Sequence, residues 1–130
     1  MMRFKRIIFV WVPTFLWMGL IFWLSSFPKL RISEGLSDLV LRKLAHMTEY
    51  AILFCLFYRS LKKTTAFPQK RSLLLALILT ILYAATDEYH QTFVLGRAGR
   101  VIDVGIDSLG ALGGLIFSKK YEGKNWWLPG

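Results

Sequence analysis

Three short groups of residues in this sequence have the types and spacing to do chemistry. Lys43, His46 and Tyr50 stand at i, i+3 and i+7, so on an α-helix they share one face, with Glu49 on its flank. Asp87 and Gln91 stand at i and i+4, with Glu88 one step off that face. Asp103, Asp107, Gly110 and Gly114 follow i, i+4, i+7 and i+11, again one face. A histidine titrates near neutral pH and suits general acid–base work. A planar guanidinium, here Arg97, matches a carboxylate or a phosphate. Two carboxylates one turn apart repel when both are ionised, and a shared proton, a bound cation or a neighbouring Lys or Arg relieves them. On these grounds His46, Asp87 and Asp103 are candidates for moving protons. Lys43, Glu49, Tyr50, Glu88, Gln91, Arg97 and Asp107 are candidates for binding.

Plainer accounts of the same residues stand beside that one. Lys43 can snorkel to the membrane surface and His46 can be a packing histidine. Asp87, Glu88 and Gln91 can form a helix end exposed to water, and Glu88, off the shared face, suits that account best. A salt-bridge network of Lys43, Arg97, Asp87 and Asp103 can simply fasten helices together. Metal ligation has candidates in His46, Glu49, Asp87, His90, Asp103 and Asp107, but no H-E-x-x-H and no paired cysteines, so metal and cofactor are left open. His90 is expected to face the membrane interface. Cys55 lies nine residues after His46 and half a turn round the helix, which excludes a Cys–His dyad. Ser108 has no nucleophile-elbow context, and no phosphate-cradling glycine loop is present.

The elements that must position these groups are membrane helices. Of 130 residues, 55% are hydrophobic and 19% are charged, against about 25% charged in a typical soluble domain. A chain this apolar cannot stay solvated as a disordered one, and one cysteine cannot make a disulfide scaffold. Residues 7–24 form an uncharged run of about 27 Å as a helix, close to a hydrocarbon core of about 30 Å. Its length and flanks argue for a retained span over a cleaved signal peptide. Trp11 and Trp23 fall near its ends and Trp17 in its middle, where it should pack on another helix. Further spans are expected over residues 39–58, 73–93 and 101–118. Their charges are tolerable if they face a bundle interior.

The net charge of +9 comes from 17 Lys and Arg against 8 Asp and Glu. The basic residues cluster between apolar runs, so membrane topology and not nucleic acid explains them. Arg3, Lys5 and Arg6, then Arg59, Lys62, Lys63, Lys70 and Arg71, then Lys119, Lys120 and Lys124 mark the cytoplasmic side. Both termini are therefore expected in the cytoplasm. The expected fold is all-α, a polytopic four-helix bundle in one domain, with short loops favouring antiparallel neighbours. In that topology Lys43, His46, Glu49, Asp87, Glu88, Gln91, Asp103 and Asp107 share a depth of about 5 to 16 Å below the outer surface. Ser25 and Ser26 end the first span on that side. The inner halves carry no charge. One polar cavity open to the outer leaflet follows, with Gly110 and Gly114 letting another helix approach closely and Gly113 adding room.

The motifs Lys43-x-x-His46-x-x-x-Tyr50, Asp87-Glu88-x-x-Gln91-x-Phe93, Gly96-Arg97 and Asp103-x-x-x-Asp107-x-x-Gly110-x-x-x-Gly114 together resemble those of the VanZ-like family of small bacterial membrane proteins. The resemblance spans about residues 8 to 118. Leu95 replaces a proline common before Gly-Arg, and Asp107 replaces a common asparagine, adding a carboxylate. The family takes its name from a member associated with resistance to teicoplanin, a lipid-tailed glycopeptide. The resemblance implies a cell-membrane protein, and with the polar residues at one depth the expected partners are membrane lipids, a lipid-linked envelope precursor or a lipoglycopeptide. In the expected arrangement Lys43 and Arg97 hold an anionic group while His46, Asp87 and Asp103 orient it or move protons. Binding and acid–base or metal-assisted catalysis on an envelope lipid both fit, and a small transporter or proton relay fits less well. Oligomeric state is left open.

Overall fold

A computed structural model describes residues 2–26, 36–94 and 100–120. It holds four α-helices and, among the described residues, no strand: α1 (Met2–Ser25), α2 (Leu36–Thr64), α3 (Gln69–Gln91) and α4 (Val101–Lys120). Each expected span lies largely within one helix, and the boundaries differ for physical reasons. The expected limits followed the apolar runs, whereas Arg3, Lys5, Arg6, Lys62 and Lys63 are strong helix formers that carry α1 and α2 beyond them. Pro68 caps the start of α3 in extended backbone, so the helix takes in Gln69, Lys70 and Arg71. Its last turn closes at Gln91, short of the expected end, with the Thr92 and Phe93 amides bonded back to Tyr89 and His90 carbonyls. Pro13 sits inside α1. One turn earlier, Arg59 Nη1 donates to the Val10 carbonyl at 3.0 Å, so α2 supplies backbone satisfaction beside the proline.

The core is built around α2. Tyr50, Leu53, Phe54, Phe57, Tyr58 and Leu61 are buried against Ile21 of α1, Ala76 and Ala84 of α3, and Ala111 of α4. α1 packs on α2 and α3 and, among the described residues, not on α4. The expectation of antiparallel neighbours needs amendment: α2 and α4, which run in the same direction, make the closest approach. Lys43 meets Asp103 at one end of that contact and Cys55 meets Ser118 at the other. Glycine is the cause. A Cβ at Gly110 would collide with the Met47 carbonyl oxygen and lie 2.7 Å from Met47 Cα; one at Gly114 would lie 2.6 Å from the Ala51 carbonyl oxygen. With no side chain between them, the two helices close until backbone meets backbone. Gly113, expected to add room to this contact, has nothing within 4 Å of a Cβ and lies off it.

Away from the acidic groups the interior is apolar but not featureless. The Thr14 and Ser60 hydroxyls, fully buried, are 2.8 Å apart, and Thr14 Oγ1 also reaches the Leu56 carbonyl at 3.2 Å. Thr80 donates to the Ala76 carbonyl at 2.7 Å. The outer surface is apolar: Phe9, Phe15, Leu16, Leu74, Leu82, Leu109 and Ile116 are all exposed. Three helices, α1, α3 and α4, are long and apolar enough to cross a membrane. The protein therefore has the helices of a membrane protein.

Candidate functional site

All four helices send polar side chains to the end of the bundle where α1 and α3 finish and α4 begins. From α2, Tyr50 donates its phenol proton to Asp87 Oδ2 of α3 at 2.9 Å. Gln91, one turn on from Asp87, donates to the same oxygen at 3.1 Å and to Ser25 Oγ of α1 at 3.4 Å. One hydrogen-bonded line thus joins α2, α3 and α1. On the other side of α2, Lys43 Nζ forms an ion pair with Asp103 Oδ1 of α4. His46 Nδ1 stands 3.9 Å from Asp107 Oδ1 of α4 and 3.7 Å from Glu49 Oε2 on its own helix. Between α3 and α4 the carboxyl groups of Glu88 and Asp107 face each other, and Glu88 also accepts the backbone N–H of Arg100.

Burial makes this an unusual set. Asp107, Asp87 and Glu88 are only 2%, 3% and 5% exposed. Each keeps one carboxylate oxygen (Oδ2, Oδ1 and Oε2 respectively) without a hydrogen-bond partner among the described residues. Burying a carboxylate unpaired costs several kcal/mol, of order the desolvation penalty of an ion. Protons, a cation or a ligand donor are the chemical remedies. Among the described residues, however, no group of three or more His, Cys, Asp and Glu side chains is arranged to hold a metal ion.

Several sequence expectations change at this point. Glu88 is not a water-exposed helix end; it turns inward to α4 while Asp87 beside it turns to α2, so both are enclosed. Lys43 does not snorkel away but is engaged with Asp103. His90 stacks on Phe22 of α1, with ring centroids 4.2 Å apart and planes at 19°. Trp17 does pack on another helix, its indole N–H donating to the Glu49 carbonyl at 2.9 Å. Trp11, expected in an interfacial belt, donates to Thr64 Oγ1 at 3.2 Å. Cys55 lies by Ser118, at 3.5 Å, on the face of α2 away from His46. Arg97, with Leu95 and Gly96, lies outside the described residues. The buried hydroxyls of Thr14, Ser60 and Thr80 were missed, since an uncharged residue in an apolar run gives no periodic signal.

The sequence model of the family described as VanZ/LLP1 matches residues 7–121. No curated protein and no solved structure matches the chain.

Proposed function

The chain belongs to the VanZ/LLP1 family, and we propose that this VanZ-like membrane protein uses its polar cluster to bind the head group of a lipid-linked or lipid-tailed molecule of the cell envelope. In this reading α2 is the fourth span, although among the described residues the helices apolar enough to cross a membrane are α1, α3 and α4. Its charged residues lower its hydropathy, yet Lys43, His46 and Glu49 are engaged within the protein rather than with lipid. The basic ends of α1, α2 and α4, with Arg3, Lys5, Arg6, Lys62, Lys63, Lys119 and Lys120, belong to the cytoplasm, and the carboxylate cluster to the outer leaflet. A reporter fused within residues 95–99 tests that orientation: an extracytoplasmic signal supports it and a cytoplasmic one refutes it.

The observation that carries the reading is the junction of Ser25, Tyr50, Asp87 and Gln91 in one hydrogen-bonded line, beside carboxylate oxygens that lack partners among the described residues. A membrane interior does not retain such groups cheaply without use. Lys43 can take an anionic portion of the ligand, exchanging Asp103 for it, while His46, Asp87 and Asp103 orient the head group. The test is native mass spectrometry of the detergent-purified protein. Wild type should retain envelope lipid, and H46Q and K43M should release it; equal retention by all three overturns the reading.

His46 between Glu49 and Asp107 favours one further reading, acid–base chemistry on the bound lipid. An enzyme should lose turnover but keep lipid when His46 becomes Gln. Any part in teicoplanin tolerance belongs to the same proposal, and is read by comparing susceptibility with and without the intact K43M and H46Q variants.

A further inference from the structure

At the end of the bundle opposite the carboxylates, three cations from two helices are brought to one flank. Arg59 Nη1 donates to the Val10 carbonyl at 3.0 Å, which fixes its guanidinium on the seam between α1 and α2. These helices run in opposite directions, since Trp11 meets Thr64 and Trp17 meets Glu49. One turn from the Arg59 bond toward the basic end therefore reaches Arg6 on α1 and Lys63 on α2. The charges of Arg59 and Arg6 both act on the Lys63 ammonium. α1 contains no acid, and the nearest on α2, Glu49, stands ten residues before Arg59. Ser60, bonded to Thr14, marks the middle of the seam. By helical spacing Phe57 and Thr64 fall on one side of it, with Trp11, and Arg59 and Lys63 on the other. Phe9, Leu16 and Leu20 follow Arg6 at i+3, i+10 and i+14, on the same side of α1, and all three are exposed.

We propose that Arg6, Arg59 and Lys63 form a site for the phosphate of an anionic membrane lipid whose acyl chain lies along Phe9, Leu16 and Leu20. Like charges gathered on one flank repel, and Arg59 cannot swing away without giving up its bond to Val10. A phosphate relieves that repulsion, and the Arg6 guanidinium has the planar fork that a phosphate accepts. A zwitterionic head group brings its own ammonium into the same field and gains less. The apolar strip leading away from Arg6 toward the middle of the span decides between a lipid and a soluble polyanion, because only a lipid uses both parts. The site stands on α2 crossing the membrane. It is independent of the head-group reading, which concerns the other end of the bundle, and the proposed orientation places it in the inner leaflet.

The test offers the full chain in detergent equal amounts of phosphatidylglycerol and phosphatidylethanolamine and counts bound lipid by native mass spectrometry. Wild type should hold the glycerol lipid over the ethanolamine lipid by about tenfold or more. K63Q and R6Q should each lower that preference about fivefold, and together bring the ratio to about one. Arg6 is an exposed residue near the start of α1, so R6Q keeps the test sound if K63Q disturbs the fold. K70Q, at the start of α3, removes the same charge from the same end of the bundle and should change the ratio less than about twofold. A wild-type ratio near one, or a preference that R6Q and K63Q leave intact, overturns the inference. Equal losses in K70Q and K63Q also overturn it, since binding then follows total charge and not this site. Capture of a short oligonucleotide in preference to phosphatidylglycerol overturns the assignment to a lipid.

Discussion

Replacing Gly110 with alanine places a methyl group against the Met47 carbonyl oxygen and 2.7 Å from Met47 Cα. Both atoms are backbone, so no rotamer change relieves the contact. Ordinary contact at 3.4–4 Å requires α4 to withdraw from α2 by roughly 1 Å. Overpacking of this kind costs about 1–3 kcal/mol. Alanine recovers about 1 kcal/mol of helix propensity, leaving a net loss of up to about 2 kcal/mol. The displacement acts on the same helix pair that joins Lys43 to Asp103 and His46 to Asp107, so on the proposed function lipid retention should fall with stability. Gly113→Ala supplies the internal control: its Cβ meets nothing within 4 Å, and the substitution should be neutral or stabilising by up to about 1 kcal/mol. Reversible unfolding in mixed micelles measures both. If G110A and G113A unfold alike, the α2–α4 contact is not set by backbone closeness and the account of Gly110 fails.

Tyr50→Phe removes one of two donors to Asp87 Oδ2, and should destabilise by about 1–3 kcal/mol in the same unfolding assay. Thr14→Val strands the buried Ser60 hydroxyl and should cost about 1–2 kcal/mol; T14V with S60A should cost less than the two single losses added. Trp17→Phe deletes the bond to the Glu49 carbonyl at about 1 kcal/mol, and the difference emission spectrum should show Trp17 to be a partly buried, hydrogen-bonded indole. Cys55, half-buried beside Ser118, should react with maleimide far more slowly in micelles than after denaturation.

Much of the arrangement was legible because ionisable residues in apolar runs are conspicuous. Lys43, His46, Asp87, Gln91, Asp103 and Asp107 stand out against leucine and phenylalanine, and helical spacing alone puts Asp103 and Asp107 on one face with Gly110 and Gly114. Pairing was harder. Spacing along one helix cannot tell whether Asp103 takes Lys43 or Arg97, because that depends on how far α4 slides against α2, a register fixed by Met47 meeting Gly110. Glu88 was judged by its angle from Asp87, yet a helix flanked on two sides can bury adjacent residues against different neighbours. The stacking of His90 required knowing that Phe22, sixty-eight residues earlier in the chain, lies across from it. The parallel embrace of α2 and α4 was hidden for the opposite reason: loop length speaks for neighbours in sequence and is silent about helices two apart in the chain.

On the proposed topology, the charges of α2 have a bearing on biogenesis. A nascent chain ending after Thr64 presents Lys43, His46 and Glu49 before Asp103 and Asp107 have been synthesised. Such a segment partitions poorly from the insertion machinery into lipid. It should therefore linger there, or sit shallowly at the surface, until α4 emerges to neutralise it. Assembly then waits on α4, and truncations lacking α4 should be cleared by membrane proteases rather than accumulate as fragments of α1 to α3.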